Sequence, residues 1–568
     1  MERRRRRPLR RAAGAVQPRD RSGAAPPAGR PARAQGRALT RRGALSPAEH
    51  RRILRLMSGL ILGLFAASLS QTILTTALPT IVGQLGGQDQ LAWLASGQLL
   101  ATTVSTPLWG KLSDIHGRKR LFQIALGIFM VGSLLAAAAP NIGVLVMARA
   151  VQGIGTGGSV ALTQAILADQ LAPRDRGRYS GYLGASFALA TVCGPLLGGF
   201  LVVDGSYGWR LCFLVGLPLV VAAMVVVQST LENQAPRRRQ PLDRSGALLI
   251  SGCIICAGLV LSLGGHTIPW LSPLTLGLGA LVVVLLFGAV RAERRAADPV
   301  LPPHLFAVRT FRIAGGGLLI SGVLLYGALT YLPLYLQIVK DRAPTVAGLL
   351  TLPMVVTMVG SGAIVGRRMS ARGRYKRYPL VGMAVSGTGM LLLSRLGADS
   401  SFLLLGVAMV LVGSGSGMIG QVLIVASQNE ARREDLGVVS STTSFLRSLG
   451  GAMGVAVLGA ILSAQLSANV PALLRARHLS GAASVPLDKL LGTPAAVAHL
   501  PAGVRGAVVD GMAQSLDAVF LAIVPLCLLG VLLISLLREQ PLRTTRHEPG
   551  QVVVDQSTPA EILLEATA

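Results

Sequence analysis

The segment Gly110-Lys111-Leu112-Ser113-Asp114-Ile115-His116-Gly117-Arg118-Lys119-Arg120 lies between two apolar runs, Leu91–Trp109 and Leu121–Ala139. Each run is long enough to cross a bilayer as a helix. One carboxylate and four cations cannot rest in hydrocarbon, so the segment marks a membrane face. A loop that only obeyed the positive-inside rule would need its cations and nothing else. This one also carries Gly110 and Gly117 at its ends, where backbones approach closely or turn. Asp114 precedes Arg118 by four residues, a spacing suited to a charge-assisted hydrogen bond across helix ends.

Composition fits the same class. Of 568 residues 51% are hydrophobic and only 14% charged, and the mean hydropathy is +0.57, the profile of a polytopic membrane protein. The net charge of +29 is not a nucleic-acid footprint. Much of it sits in the arginine-rich first 52 residues and the rest in short loops between apolar runs. No nucleic-acid partner is expected. The five cysteines, Cys193, Cys212, Cys253, Cys256 and Cys527, all fall in apolar runs. Cys253 and Cys256 make a CxxC, open to redox or metal chemistry. With no further His or Cys nearby, small buried hydrophobes are the favoured reading, and no metal or other cofactor is expected.

Residues 1–52 have no apolar periodicity and read as a disordered basic tail, not a signal peptide. Contact with RNA or anionic lipid is one reading. A start codon read too early is another, since Met57 opens the first apolar run. That run ends in Leu69-Ser70-Gln71-Thr72-Ile73-Leu74-Thr75-Thr76-Ala77-Leu78-Pro79. The fourth run holds Arg149-Ala150-Val151-Gln152-Gly153, with Gly155, Gly157 and Gly158 suited to close helix packing. Arg149 lies roughly 12 Å into this helix. An arginine at such depth must face the bundle interior or snorkel to the interface. The fifth run carries Gly194-Pro195-Leu196-Leu197-Gly198-Gly199, a proline with flanking glycines that a bundle can accommodate as a kink. Later, Arg447 is a second intramembrane cation, and Gln421 is an intramembrane polar group.

The spacing of residues 110–120 resembles the signature loop between spans two and three of the major facilitator superfamily. There it latches the two halves on the cytoplasmic side, which implies latch roles for Gly110, Asp114, Gly117 and Arg118. Leu69–Pro79 resembles the first-span signature of the fourteen-span drug:proton antiporters. Ser70 stands where that branch usually carries Asp, and a serine does not titrate in the physiological range. Arg149 and Gln152 match the superfamily's fourth-span motif, whose arginine serves proton translocation. The resemblance thus places Arg149, Gln152, Ser70 and Gln71 in proton coupling and transport. Gly194, Pro195, Gly198 and Gly199 match the antiporter motif of exporters, with Ala190 in place of the motif's leading glycine. Of the other carboxylates, Asp169 reads as lying toward the cytoplasmic face and Asp204 toward the outer one.

The second half repeats the first weakly. Thr330-x-Leu332-Pro333 echoes Thr76-x-Leu78-Pro79, and Gly366…Gly373-Arg374 echoes Gly110…Gly117-Arg118, at offsets of 254 (333 − 79) and 256 (366 − 110). In the second copy Ser370 stands where Asp114 stands in the first. The expected architecture is an all-α polytopic membrane protein of the major facilitator fold, two six-helix bundles plus two extra central helices, fourteen transmembrane helices in all. Its expected parts are a cytoplasmic tail over 1–52, a bundle over 53–230, the extra helices over 231–310, a second bundle over 311–538 with a long extracellular loop at 466–515, and a cytoplasmic tail over 539–568. Lys and Arg concentrate on alternate loops, which puts both termini in the cytoplasm, and the excess of Arg, Ala, Gly and Pro suggests a GC-rich bacterial genome.

The resemblance implies a multidrug exporter that moves small hydrophobic substrates across the plasma membrane in exchange for protons, acting as a monomer in the lipid bilayer and conferring antibiotic resistance. A dedicated exporter of one metabolite, antibiotic, siderophore or lipid would share every motif. The G-x-x-x-x-G-K-[ST] pattern is absent, so ATP is not the expected driver. No nucleophile–base constellation points to an enzyme.

Overall fold

The computed structural model describes residues 47–85, 91–202, 208–232, 243–263, 272–296, 299–397, 399–432, 435–477 and 500–543. Asp204, most of both tails and the centre of the 466–515 segment lie outside the described residues. The described chain is helical, with no strand among the described residues. The helices are α1 (Pro47–Leu85), α2 (Leu91–His116), α3 (Arg118–Ala137), α4 (Ile142–Gln170), α5 (Pro173–Val202), α6 (Gly208–Leu214), α7 (Leu217–Thr230), α8 (Arg244–Leu263) and α9 (Pro273–Arg295). They continue with α10 (Pro303–Ala307), α11 (Arg309–Ile338), α12 (Pro344–Leu350), α13 (Leu352–Arg372), α14 (Arg377–Leu393), α15 (Phe402–Glu430), α16 (Leu436–Ala476) and α17 (Ala502–Ser535). Ten helices among the described residues are long and apolar enough to cross a membrane, counting α6–α7 and α12–α13 each as one. Others, α2 and α4 among them, are shorter or more polar, and α4 is the helix that carries Arg149.

Two groups of helices pack mainly within themselves. In the first, α4 lies against α2 and α3, and α1 against α5 and α7. In the second, α16 lies against α11 and α17, while α15 lies against α13 and α14. The groups meet where α5 packs on α13 and where α16 packs on α2 and α4. Small residues set the spacing. A Cβ at Gly153 would collide with the Gln98 carbonyl, and one at Gly155 with the backbone of Ala125 and Phe129. The glycine row of α4 therefore lets two neighbours approach it at backbone distance, as its sequence predicts. The pair α8–α9 packs on itself and touches α2 and α16. Val283, Val284 and Phe287 of α9 point outward, as a lipid-facing helix requires. Glu293 fixes its far end, its carboxylate accepting from the amides of Val300 (3.3 Å) and Leu301 (2.8 Å).

Three expectations need correction. Residues 110–120 are hardly a loop: α2 runs to His116 and α3 starts at Arg118, so Gly117 alone breaks the helix. Its φ of 89° is the reason, because an L-residue with a side chain is strained there. Gly373, at the equivalent place in the second half, has φ 69°, and these are the two positive-φ glycines among the described residues. The segment expected as a polar loop at 466–515 is helical at both ends, from 466 to 476 and from 502 to 515. Leu466, Val470 and Leu474 repeat every four residues and bury a stripe in one cluster with Val508, Met512 and Leu516. The cysteines are free. Cys253 and Cys256 are half-buried rather than buried, because α8 sits at the edge of the helix assembly.

Candidate functional site

Three features meet in the interior: a polar clasp at one end, a buried arginine network, and a cavity lined by both helix groups.

The clasp centres on Asp114 and Arg118. The Arg118 Nη2 donates to Asp114 Oδ1 at 3.2 Å, and its Nε pairs with Asp169 at the end of α4. All three side chains are 3% exposed or less. Across the interface, a Cβ at Gly437 would collide with the Asp114 carboxylate, and one at Gly110 with Ser441. Asp114 therefore sits against the first turn of α16, where unpaired amides and the helix dipole favour a negative charge. The echo in the second half makes the reciprocal contact, since a Cβ at Gly366 would collide with the Gly177 carbonyl on α5. Ser370 supplies no carboxylate there. Instead Arg174 donates from Nε to the Ser370 carbonyl (2.6 Å) and from Nη2 to that of Ala371 (2.9 Å). An acid meets a helix N-terminus in one copy, and a cation meets the last carbonyls of α13 in the other. Arg176 adds a third crossing, donating from Nη1 to Gln428 Oε1 at 3.0 Å, while Gln428 Nε2 donates to Ser440 Oγ at 2.8 Å. The sequence reading missed the Asp169, Arg174 and Arg176 contacts. Arg174, Arg176 and Arg178 stand close together in the sequence, but the partners of Arg174 and Gln428, which Arg176 reaches, lie far away along it. Arg174→Ala is expected to slow transport severalfold, less than removal of Asp114, because its contacts are partly solvated. An efflux assay at matched expression checks the ranking.

Arg149 is 1% exposed. Its Nη1 donates to the Ser70 carbonyl (3.3 Å) and to Gln152 Oε1 (3.0 Å), and lies 3.5 Å from Ser70 Oγ. Gln152 Nε2 in turn donates to Ser70 Oγ (3.2 Å) and Ser133 Oγ (2.7 Å). The Phe213 ring lies 6.0 Å from the guanidinium carbon, within cation–π range. Arg149 thus faces the interior, and neutral groups from α1, α3 and α4 surround it. Among the described residues no carboxylate pairs with it. Gln71, expected beside Ser70 as a partner, instead points into the cavity, because consecutive helical side chains diverge by about 100°.

That cavity encloses about 1260 Å³ counting its open mouth. The first helix group contributes Leu64, Gln71, Thr102, Gln164 and Phe187, and the second contributes Tyr326, Met358, Gln421, Ser444 and Arg447. Such a mixture of apolar wall and scattered polar groups is the usual make-up of a small-molecule site. Arg447 is the one charged side chain among the described residues that line it.

The Gly194–Gly199 stretch fits between two neighbours. Thr72 Oγ1 donates to the Ala190 carbonyl at 2.8 Å, and a Cβ at Gly194 would collide with Thr72. Pro195 faces Gly348, Gly199 faces Thr345, and Gly198 is buried. Pro195→Ala restores an amide donor inside α5 and empties the contact with Gly348. Transport is expected to fall severalfold with membrane insertion unchanged, measured as substrate flux against protein level. Asp517 on α17 is a carboxylate that the sequence reading passed over. Its Oδ1 is buried without a hydrogen-bond partner among the described residues.

The profile of the Major Facilitator Superfamily matches residues 60–455. The chain is 36% identical over 507 residues to an uncharacterized MFS-type transporter of Mycobacterium tuberculosis, covering 88% of this chain and 71% of the relative. It is 33% identical to the multidrug transporter protein MdtP of Bacillus subtilis (72% of this chain, 75% of the relative). The efflux pump dotC of the fungus Dothistroma septosporum is 32% identical (89% and 86%). Among solved structures, the human organic anion transporter MFSD10 superposes with a TM-score of 0.58 at 17% identity, over 86% of this chain and all of that one. The proton:xylose symporter XylE does so at 0.53 and 13%, over 84% and 96%. At these identities the two structures speak for the fold. With the all-helical fold, the clasp and the family profile in agreement, this chain belongs to the major facilitator superfamily, as a multi-pass membrane transporter with multidrug transporters and efflux pumps among its relatives.

Proposed function

We propose that the protein exports hydrophobic compounds across a bacterial plasma membrane by alternating access, in exchange for protons. The observation that carries this reading is the cavity walled by both helix groups, which the Asp114 clasp also brings together. A site shared between two bodies changes its access when they rock, without itself being rebuilt. On this reading the clasp end is cytoplasmic, as are both termini. Fourteen helical segments then span the membrane as two six-helix bundles flanking α8–α9, and the protein works as a monomer. Asp114, Arg118, Gly110 and Gly117 hold the inner gate shut. Arg149, Gln152 and Ser70 shape the field around the site, Gln71 and Gln421 contact substrate, and Gly194–Gly199 keep α5 packed at the opposite gate.

The test is susceptibility and accumulation in a pump-deficient bacterial host. Expression of the full chain is expected to lower the accumulation of several hydrophobic antibiotics, and a protonophore is expected to abolish the effect. Accumulation unchanged across a broad panel overturns the multidrug reading. A lowering confined to a single compound class points to a dedicated exporter.

A further inference from the structure

We propose, on the basis of the export reading above, that the preferred cargo is an amphipathic organic anion, its acidic group seated on Arg447 and its apolar body lying along the cavity wall. Arg447 is held toward the cavity by its own helix. Gly450 and Gly451, one turn on, press against the Leu319 backbone and the Tyr326 ring, so α16 cannot turn the arginine outward. Opposite it, Gly420 leaves room that a side chain would take, since a Cβ there would stand 3.0 Å from Nη1. No hydrogen bond or ion pair engages the guanidinium among the described residues, and the polar groups around it (the nearby Tyr326 phenol, Ser416, Gln421, Ser444 and Ser448) are neutral. No carboxylate lines the cavity among the described residues.

The second intramembrane arginine does not offset this charge. Arg149 too has only neutral partners. The interior therefore presents two cations and, beside them, no anion, an arrangement that is costly unless something supplies the missing charge. A bound carboxylate or sulfonate does so, and it matches the two-pronged geometry of a guanidinium. Leu64, Leu99, Val160, Phe187, Leu325 and Met358 provide the wall for its apolar part. A lipophilic cation would instead meet like charge and no acid, so this cavity disfavours it by repulsion as well as by missing contacts.

Three probes that share a body but differ in charge test this: pyrenebutyrate, its methyl ester, and pyrenebutyl-trimethylammonium. Equilibrium binding to the purified full-length protein is expected to favour the anion over the ammonium by about tenfold or more, the scale of one desolvated charge-assisted contact. Energised uptake into inside-out vesicles is expected to show the same order. Arg447→Gln is expected to erase the anion-over-ester preference, and Arg447→Lys to keep part of it. Ammonium binding equal to or tighter than anion binding in the wild type overturns the proposal, whatever the variants do. So does an unchanged preference in Arg447→Gln. If the anion binds selectively but no probe enters vesicles, the export reading fails while the anion seat stands.

Discussion

Asp114→Asn is expected to reduce efflux by at least about tenfold while leaving the protein in the membrane. The carboxylate is 2% exposed, paired with Arg118, and set against the first turn of α16. Asn keeps the size but removes the charge that faces both the guanidinium and the helix N-terminus. Breaking one member of a buried pair costs about 3–5 kcal/mol. Arg118 retains Asp169, so the lower part of that range applies. Even about 3 kcal/mol shifts a two-state equilibrium by more than a hundredfold, enough to leave the inner gate open for most of the cycle. The change acts on the closed form, so it should be visible without transport. A cysteine placed at Ser441, where it is shielded by Gly110, should react faster with an impermeant maleimide in inside-out vesicles when Asp114 is Asn. Wild-type efflux together with unchanged labelling rules out the gate role of Asp114.

Much of this clasp's geometry was legible in the sequence because its chemistry is local. Asp114 and Arg118 are one helical turn apart, and Gly117 breaks the helix at a position where only one backbone geometry serves. The 256-residue offset between Gly110 and Gly366 was legible as well. Its consequence was not: the copies cross over, Gly110 reaching α16 of the second half while Gly366 reaches α5 of the first. Sequence spacing carries repeats but not the symmetry that relates them. The substitution of Ser370 for Asp114 reads in sequence as a simple loss, yet Arg174 replaces an acid at a helix N-terminus by a base at a helix C-terminus. The cavity was the least legible part. Gln71, Gln164, Tyr326, Gln421 and Arg447 come from five helices, and no local period brings them together. The polar loop expected at 466–515 failed for a related reason. Its buried stripe is only four residues wide in period and interspersed with Ser, Asn and Arg, so mean hydropathy hides it.

Ser70→Asp is expected to give transport a titration step that the wild type lacks. Arg149 Nη1 already lies 3.5 Å from Ser70 Oγ and 3.3 Å from its carbonyl, so a carboxylate at residue 70 falls within ion-pair reach of the guanidinium. Serine cannot exchange a proton in the physiological range, and neither can Gln152. On the proposed exchange for protons, the coupling group then lies outside this network of Arg149, Ser70 and Gln152. With Asp at residue 70 the local charge changes between the protonated and ionised forms, and the affinity for charged cargo changes with it. An ionised carboxylate would neutralise Arg149 and weaken the pull on an anion; its protonation would restore that pull. For an anionic probe, uptake is thus expected to fall with rising pH in Ser70→Asp, by about tenfold across the step, and to stay flatter in the wild type and in Ser70→Asn. Arg149→Ala is expected to cripple uptake in both the wild-type and the Ser70→Asp backgrounds, because it removes the guanidinium that donates to Gln152 Oε1 and to the Ser70 carbonyl. The measurement is initial uptake into energised inside-out vesicles against pH for the five proteins at matched levels. If Ser70→Asp and Ser70→Asn trace the same curve, the charge at residue 70 does not reach the transport cycle. The field around Arg149 is then set elsewhere.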